Sequence, residues 1–308
     1  MFRVNVSVVT MIFLFTLSFM GCNVTSEVET AKRGAEVSPI VGQPKGAAAE
    51  YFADAIANSW TDINKYASRC PRNSDICFDF PMAPIDDSKP RIYGLNGFRN
   101  VRDIGGWTGL RLGRVFRGSQ MYYVEGYPDG VDPVTKKTLL EDMKIKKDLD
   151  LRGVSEWGII KYGDRRRNEM QVIGIEKISC PFPSYTNLLT HAKIVAEALR
   201  HFTKEGNYPV YVHCAGGADR TGSLIMILEA LCDVPEKLMD IDYELTSFTR
   251  IYGLRSRDCV GNLAWKPYKD AIKSAYSAKT FNESVRRWVI EGVGLTEEEI
   301  SAIRANLL

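Results

Sequence analysis

Residues 210 to 222 read Val-Tyr-Val-His-Cys-Ala-Gly-Gly-Ala-Asp-Arg-Thr-Gly. Val210, Tyr211 and Val212 are β-formers that run into His213 and Cys214. Five residues then intervene before Arg220, after which Thr221, Gly222 and the apolar run Leu224 to Leu231 predict a helix. The stretch is a strand, a tight loop and a helix start.

A loop of that shape makes an anion cradle. Its successive backbone N–H groups face inward, and the first turn of the helix adds unsatisfied donors and the positive end of its dipole. Gly216 and Gly217 let the backbone come close to a ligand, and Ala215 and Ala218 add only methyl groups, so residues 215 to 218 are the expected phosphate-binding positions. The same field favours a thiolate at Cys214, with His213 and Arg220 assisting. A phosphoryl group in transfer carries its charge on three equatorial oxygens. Arg220 can clamp two of them while the amides take the rest. Cys214 as nucleophile, Arg220 as clamp and Thr221 at the helix start form the candidate catalytic set.

His-Cys, five residues, then Arg-Thr-Gly resembles the signature of the cysteine-dependent protein tyrosine and dual-specificity phosphatases. Asp219 directly before Arg220 gives it the form of the bacterial tyrosine and lipid phosphatase branch, whose loop usually reads His-Cys-x-x-Gly-Lys-Asp-Arg-Thr-Gly. Ala218 stands here where that branch has Lys. The resemblance spans roughly 92 to 308. It extends to Asn100-Val-Arg-Asp103-Ile-Gly-Gly106, Gly113-Arg-Val-Phe-Arg117-Gly-Ser119, Lys147-Asp-Leu-Asp-Leu-Arg152 and the C-terminal helix opened by Thr296-Glu-Glu-Glu299, a capping-box pattern. It implies that Asp103 approaches the phosphate loop from the side. Asp103 then either orients Arg220 or the substrate, or caps its own turn. Arg152 either faces the site or forms a salt bridge to Asp103 or Asp150. In most tyrosine phosphatases the loop corresponding to residues 179 to 190 supplies an Asp as general acid, yet here it holds no Asp or Glu. That leaves Asp219 as the closest acidic candidate, with bracing of the loop as its alternative role.

Strands near 115, 148, 175 and 211 alternate with helical segments. This predicts an α/β fold with a mainly parallel central sheet flanked by helices and a phosphatase-type loop between a strand and a helix. The charged run Lys161, Arg165, Arg166 and Arg167 reads as a solvated helix after Arg152, Asp240 to Thr249 as a further helix, and residues 250 to 282 as a cap over the site.

The chain has 308 residues, of which 45% are hydrophobic and 25% charged, so it can bury a core and is neither fibrous nor disordered. Arg3, the apolar run Val8 to Met20 and Gly21-Cys22 resemble a bacterial lipoprotein signal over 1 to 21, with Cys22 as the acylated first residue of an exported, membrane-anchored protein. Simple secretion is the alternative. Residues 22 to 46 read as a flexible tether spanning about 25 to 30 Å. The segment 47 to 91 is an N-terminal extension with an amphipathic helix and a Cys70, Cys77 pair that is either bonded or free, and 92 to 308 is the catalytic domain.

Loss of the signal removes only Arg3 from a net charge of +2, so nothing calls for a nucleic-acid partner. Three His residues, with only His213 in a motif, make no plausible metal site, and no cofactor is expected. The expected activity is phosphomonoester hydrolysis through a phosphocysteine, on a phosphorylated protein or small phosphomonoester. An inositol phosphate phosphatase is the alternative, and an inactive phosphate- or partner-binding lipoprotein is the alternative of another class.

Overall fold

A computed structural model of the chain describes residues 91–156, 161–162, 165–166, 169–182, 188–249, 255–258 and 265–308. The signal, Cys22, the tether, the amphipathic helix and the Cys70, Cys77 pair lie outside these residues.

The described strands are β1 (Arg91–Tyr93), β2 (Val101–Asp103), β3 (Val115–Ser119), β4 (Lys147–Asp150), β5 (Lys161–Tyr162), β6 (Arg165–Arg166), β7 (Glu176–Ser179) and β8 (Val210–Cys214). The helices are α1 (Pro133–Lys137), α2 (Ala192–His201), α3 (Asp219–Leu231), α4 (Glu236–Leu245), α5 (Trp265–Ala275), α6 (Phe281–Trp288) and α7 (Glu297–Leu307). One six-stranded sheet has the order β1-β2-β3-β8-β4-β7. Its β3, β8, β4 and β7 are mutually parallel neighbours, whereas β1 and β2 add an antiparallel edge. The predicted α/β architecture is therefore correct, with a mixed rather than uniform sheet.

Strand β8 is central because it can be buried on both faces. Val210 and Val212 join one core with Leu149, Val115 and most of α3, while Tyr211 points to the other with Phe116, Val101 and Met143. That alternation is the period of two expected of a strand. Helix α3 is buried at every residue but Arg220, which suits the unbroken apolar run Leu224 to Leu228. The capping box reads as predicted: Thr296 accepts from the Glu299 N–H and Glu299 accepts from the Thr296 N–H.

Three expectations need correction. Within the charged run after Arg152, Lys161–Tyr162 and Arg165–Arg166 are the paired antiparallel strands β5 and β6, with Lys161 opposite Arg166, not a helix. Gly163-Asp164 between the strands is a two-residue turn signal that outweighs helical spacing. The helix read over 240 to 249 starts earlier, at Glu236, and gives way to a 3-10 turn from Thr246. The described part of the supposed cap also packs inward. Trp265, Tyr268 and Ile272 recur at three and four residues and bury one face of α5, and Trp265 stacks on Tyr243 with ring centroids 4.1 Å apart.

Candidate active site

The loop between β8 and α3 is shaped from outside by donors that hold its carbonyl groups. The Gln120 N–H donates to Ala215 O at 3.3 Å. Asn100 Nδ2 donates to Gly217 O at 2.9 Å and, at the limit of 3.5 Å, to Gly216 O. Arg117 Nη2 donates to Gly217 O at 2.7 Å and Ala218 O at 3.1 Å. In a trans peptide the N–H points opposite to the C=O. With four successive carbonyls drawn outward, the amides of residues 216 to 219 turn toward the loop centre, as an anion cradle requires.

Two glycines allow this wrapping. Gly217 has φ +63°, and a Cβ there would lie 2.1 Å from both C and O of Gly118. A Cβ on Gly118 would in turn lie 2.1 Å from the Tyr211 hydroxyl. Only bare backbone fits where the end of β3 meets the loop. Helix α3 begins at Asp219, two residues before the predicted start, with Ala218 as its N-cap. Ala218 carries no side-chain acceptor, so the first-turn amides remain available to an anion.

The outer donors are themselves fixed by a buried charge cluster. Asp242 on α4 receives Arg102 Nε at 2.7 Å and pairs with Arg117 through its other oxygen. All three side chains are buried. Burial alone would push the Asp242 carboxyl up, but Arg102 and Arg117 outweigh it and hold it below the ordinary carboxylate value.

Cys214 is buried at the carboxyl end of β8. Burial raises its thiol, but the Arg220 charge and hydrogen bonds from the Thr221 side chain and backbone prevail, and the net shift is downward; Asp219 opposes it. Cys180 and Cys232 show the contrast, since burial pushes each up to about 12. His213 supports Cys214 through the main chain, its Nδ1 lying 2.9 Å from Cys214 O, while Nε2 is 2.9 Å from Asp148 Oδ1. Burial would lower the imidazole, yet Asp148 and Asp150 raise it to about 9, so the ring is held as a cation near neutral pH. Arg220 is half-buried and donates from Nη1 to Leu151 O at 3.3 Å.

The remaining sequence candidates fall into bracing positions. Asp103 accepts from the Gly105 N–H at 2.8 Å and the Gly113 N–H at 2.7 Å, which is the turn-capping geometry. Arg152 is fully buried. Its Nε and Nη2 hold Asp150 at 2.8 Å, Nη1 reaches Gln120 Oε1, and Nη2 also meets Glu169. Its partner is thus Asp150, not Asp103, and it supports the loop through Gln120. Both Asp219 oxygens are engaged: Arg255 Nε donates to Oδ1 at 2.8 Å and Nη2 to Oδ2 at 2.9 Å, and the Tyr243 hydroxyl adds 3.1 Å to Oδ1. Of the two roles open to Asp219, this is the geometry of a brace. Arg255, Asn100, Arg117 and Asp242 were not among the sequence candidates. The motifs around residues 100, 117 and 242 were visible, but not which loop carbonyls their side chains would reach.

A thiol at the strand end, a cradle of amides and an arginine on the first helical turn define a cysteine-dependent phosphatase. A family model described as "Tyrosine phosphatase family" matches residues 93–308, and the chain belongs to that family. A comparison with curated protein sequences finds no match. Among solved structures, the core catalytic domain of the PP-IP phosphatase SIW14 from S. cerevisiae, in complex with citrate, is similar at 19% identity and a TM-score of 0.36, over 59% of this chain and 94% of that one.

Proposed function

We propose that the protein hydrolyses phosphomonoesters through a phosphocysteine on Cys214, with aryl phosphate on proteins as the favoured substrate. The observation that carries this reading is the downward-shifted Cys214 thiol at the head of a loop whose carbonyls are drawn outward. The thiolate attacks phosphorus, the bond to the leaving oxygen breaks, and water later cleaves the S–P bond to release phosphate. Arg220 and the amides of residues 216 to 219 hold the equatorial oxygens throughout. Thr221, on the first turn of α3 beside the sulfur, favours the thiolate before attack and as it departs.

Residues 179 to 190 hold no carboxylic acid and Asp219 is committed to Arg255 and Tyr243. A substrate whose leaving oxygen needs little protonation suits such a site, and aryl oxygens need less than alkyl ones. The neutral side chains at 215 to 218 offer no extra charge to an inositol polyphosphate. The test is turnover by the protein without residues 1 to 22, with chelator present, on phosphotyrosine peptides, phosphoserine peptides and phosphoinositides. Highest kcat/KM on phosphotyrosine is expected, a preference for phosphoinositide overturns the substrate class, and no turnover on any of them supports a binding role instead.

The same proposal takes Cys22 as the lipidated residue of an exported lipoprotein of the bacterial branch, held to the envelope through a tether and an N-terminal extension that ends near residue 91. Partition of the full chain with membranes, abolished by Cys22→Ala, is expected. Unchanged partition in the variant contradicts the anchor.

A further inference from the structure

Arg255 lies outside every motif legible in the sequence, yet it is buried and its guanidinium meets Asp219 with two parallel hydrogen bonds of 2.8 and 2.9 Å. Its backbone is pinned as well: the Arg255 N–H donates to Ser247 Oγ at 2.7 Å, and the Ser247 hydroxyl donates to Arg255 O at 2.8 Å. Two residues on, Arg257 grips Glu244 through its N–H and Nε, each at 2.8 to 2.9 Å from Oε1, and through Nη2 at 2.6 Å from Oε2. The segment 255 to 258 is thus bolted to the end of α4, the helix that also carries Asp242 and Tyr243.

Asp219 is a carboxylate in the first turn of the helix that bears Arg220, and its charge acts directly against the Cys214 thiolate. The charges acting on Cys214 are Arg220 on the positive side and Asp219 on the negative side; behind the thiol, His213 is held by Asp148 and Asp150 and opposed by Arg152. A dianionic phosphate entering this loop meets the same opposition from Asp219.

We propose that Arg255 is a positioning residue that neutralises and anchors Asp219, so that the loop keeps its net attraction for the thiolate and for phosphate. The inference rests on the phosphocysteine reading, but its readouts need no turnover. A carboxylate left in place without its guanidinium is a buried unpaired charge, which is more harmful than removal of both partners. Arg255→Gln therefore does more damage than Asp219→Asn, and it does almost none once Asp219 is already Asn.

The experiment measures vanadate affinity and the pH dependence of Cys214 alkylation by iodoacetamide, in the full chain held in detergent. It compares wild type, Arg255→Gln, Asp219→Asn, the double variant and Arg255→Lys. Expected are vanadate binding weakened about tenfold or more by Arg255→Gln and an alkylation profile displaced upward by about one pH unit. In the Asp219→Asn background the same substitution changes both by less than about twofold. Arg255→Lys, which keeps the charge but loses the two-pronged contact, leaves the alkylation profile near that of wild type and also serves if the Gln variant does not fold. A profile unmoved by Arg255→Gln, equal losses from Arg255→Gln in both backgrounds, or an upward displacement with Arg255→Lys would each overturn the proposal. Wild-type protein that binds vanadate but turns over no phosphate ester would sink the phosphocysteine reading and leave the clamp standing.

Discussion

At the residue scale, the site depends on positions where chemistry and backbone geometry coincide. Gly217→Ala places a Cβ 2.1 Å from the Gly118 backbone at a positive φ, which must open the loop. We expect vanadate affinity and kcat/KM on phosphotyrosine peptides to fall at least about 100-fold, with a thermal unfolding midpoint lowered by a few degrees; wild-type affinity would show that the loop can flex there. Asp219 gives a second test, because a brace and an acid respond differently to the leaving group. As a brace, Asp219→Asn loses activity by the same factor on a phosphotyrosine peptide and on an activated aryl phosphate, with weaker phosphate binding. A loss confined to the peptide, with phosphate binding retained, would restore Asp219 as the proton donor. Cys214, Arg220 and the five residues between them stood out in the sequence because their grouping follows from local spacing. Arg255 did not, since its role exists only where residues 36 apart in sequence meet.

At the element scale, the phosphate loop is a shape imposed by its neighbours. Donors on the segment before β2 and on β3 draw the carbonyls outward, and α4 fixes those donors through Asp242. Arg117→Met should therefore injure catalysis without touching substrate: it frees the Ala218 carbonyl, leaves the Gly217 carbonyl to Asn100 alone and leaves Asp242 with one cationic partner. We expect a loss of stability of about 3 to 5 kcal/mol, as for one half of a buried pair, and a rise in KM for phosphotyrosine peptide, read by denaturant unfolding and steady-state kinetics. A stable variant with unaltered KM would show that the loop holds its shape unaided. The strand, loop and helix order was legible from β-formers, glycines and an apolar run. The hairpin of β5 and β6 was not, because a run of Lys and Arg satisfies a helical period as readily as a strand period, and only Gly163-Asp164 breaks the tie. The inward packing of α5 was missed for a related reason: aromatics among mixed charges look like a lid until their spacing is matched to a core.

At the scale of the whole molecule, burial of charge under the central sheet couples stability to pH. His213 is raised from 6.5 to about 9 by Asp148 and Asp150 against the opposing effect of burial. A group whose folded value lies above its unfolded value stabilises fully below the unfolded value, and that contribution disappears as pH climbs toward the folded value. The His213 contribution, read as the difference in unfolding midpoint between wild type and His213→Asn, should thus shrink between about pH 6.5 and 9, by about 2 to 4 °C for each kcal/mol lost, while the lowered Cys214 thiol acts in the opposite sense in both proteins; a difference that stays level across this window would refute the assignment. The architecture was legible at this scale because strands and helices alternate in the sequence, whereas the antiparallel edge of β1 and β2 was not, as short strands of mixed charge carry little period. The central claim is that Cys214 carries the phosphoryl group, and the most direct measurement is rapid acid quench of wild-type protein turning over a radiolabelled phosphotyrosine peptide, followed by peptide mapping. The account predicts label on the peptide containing Cys214, formed and discharged at rates consistent with kcat and missing from Cys214→Ser. Steady turnover with no label on that peptide, or turnover by Cys214→Ser, would contradict it.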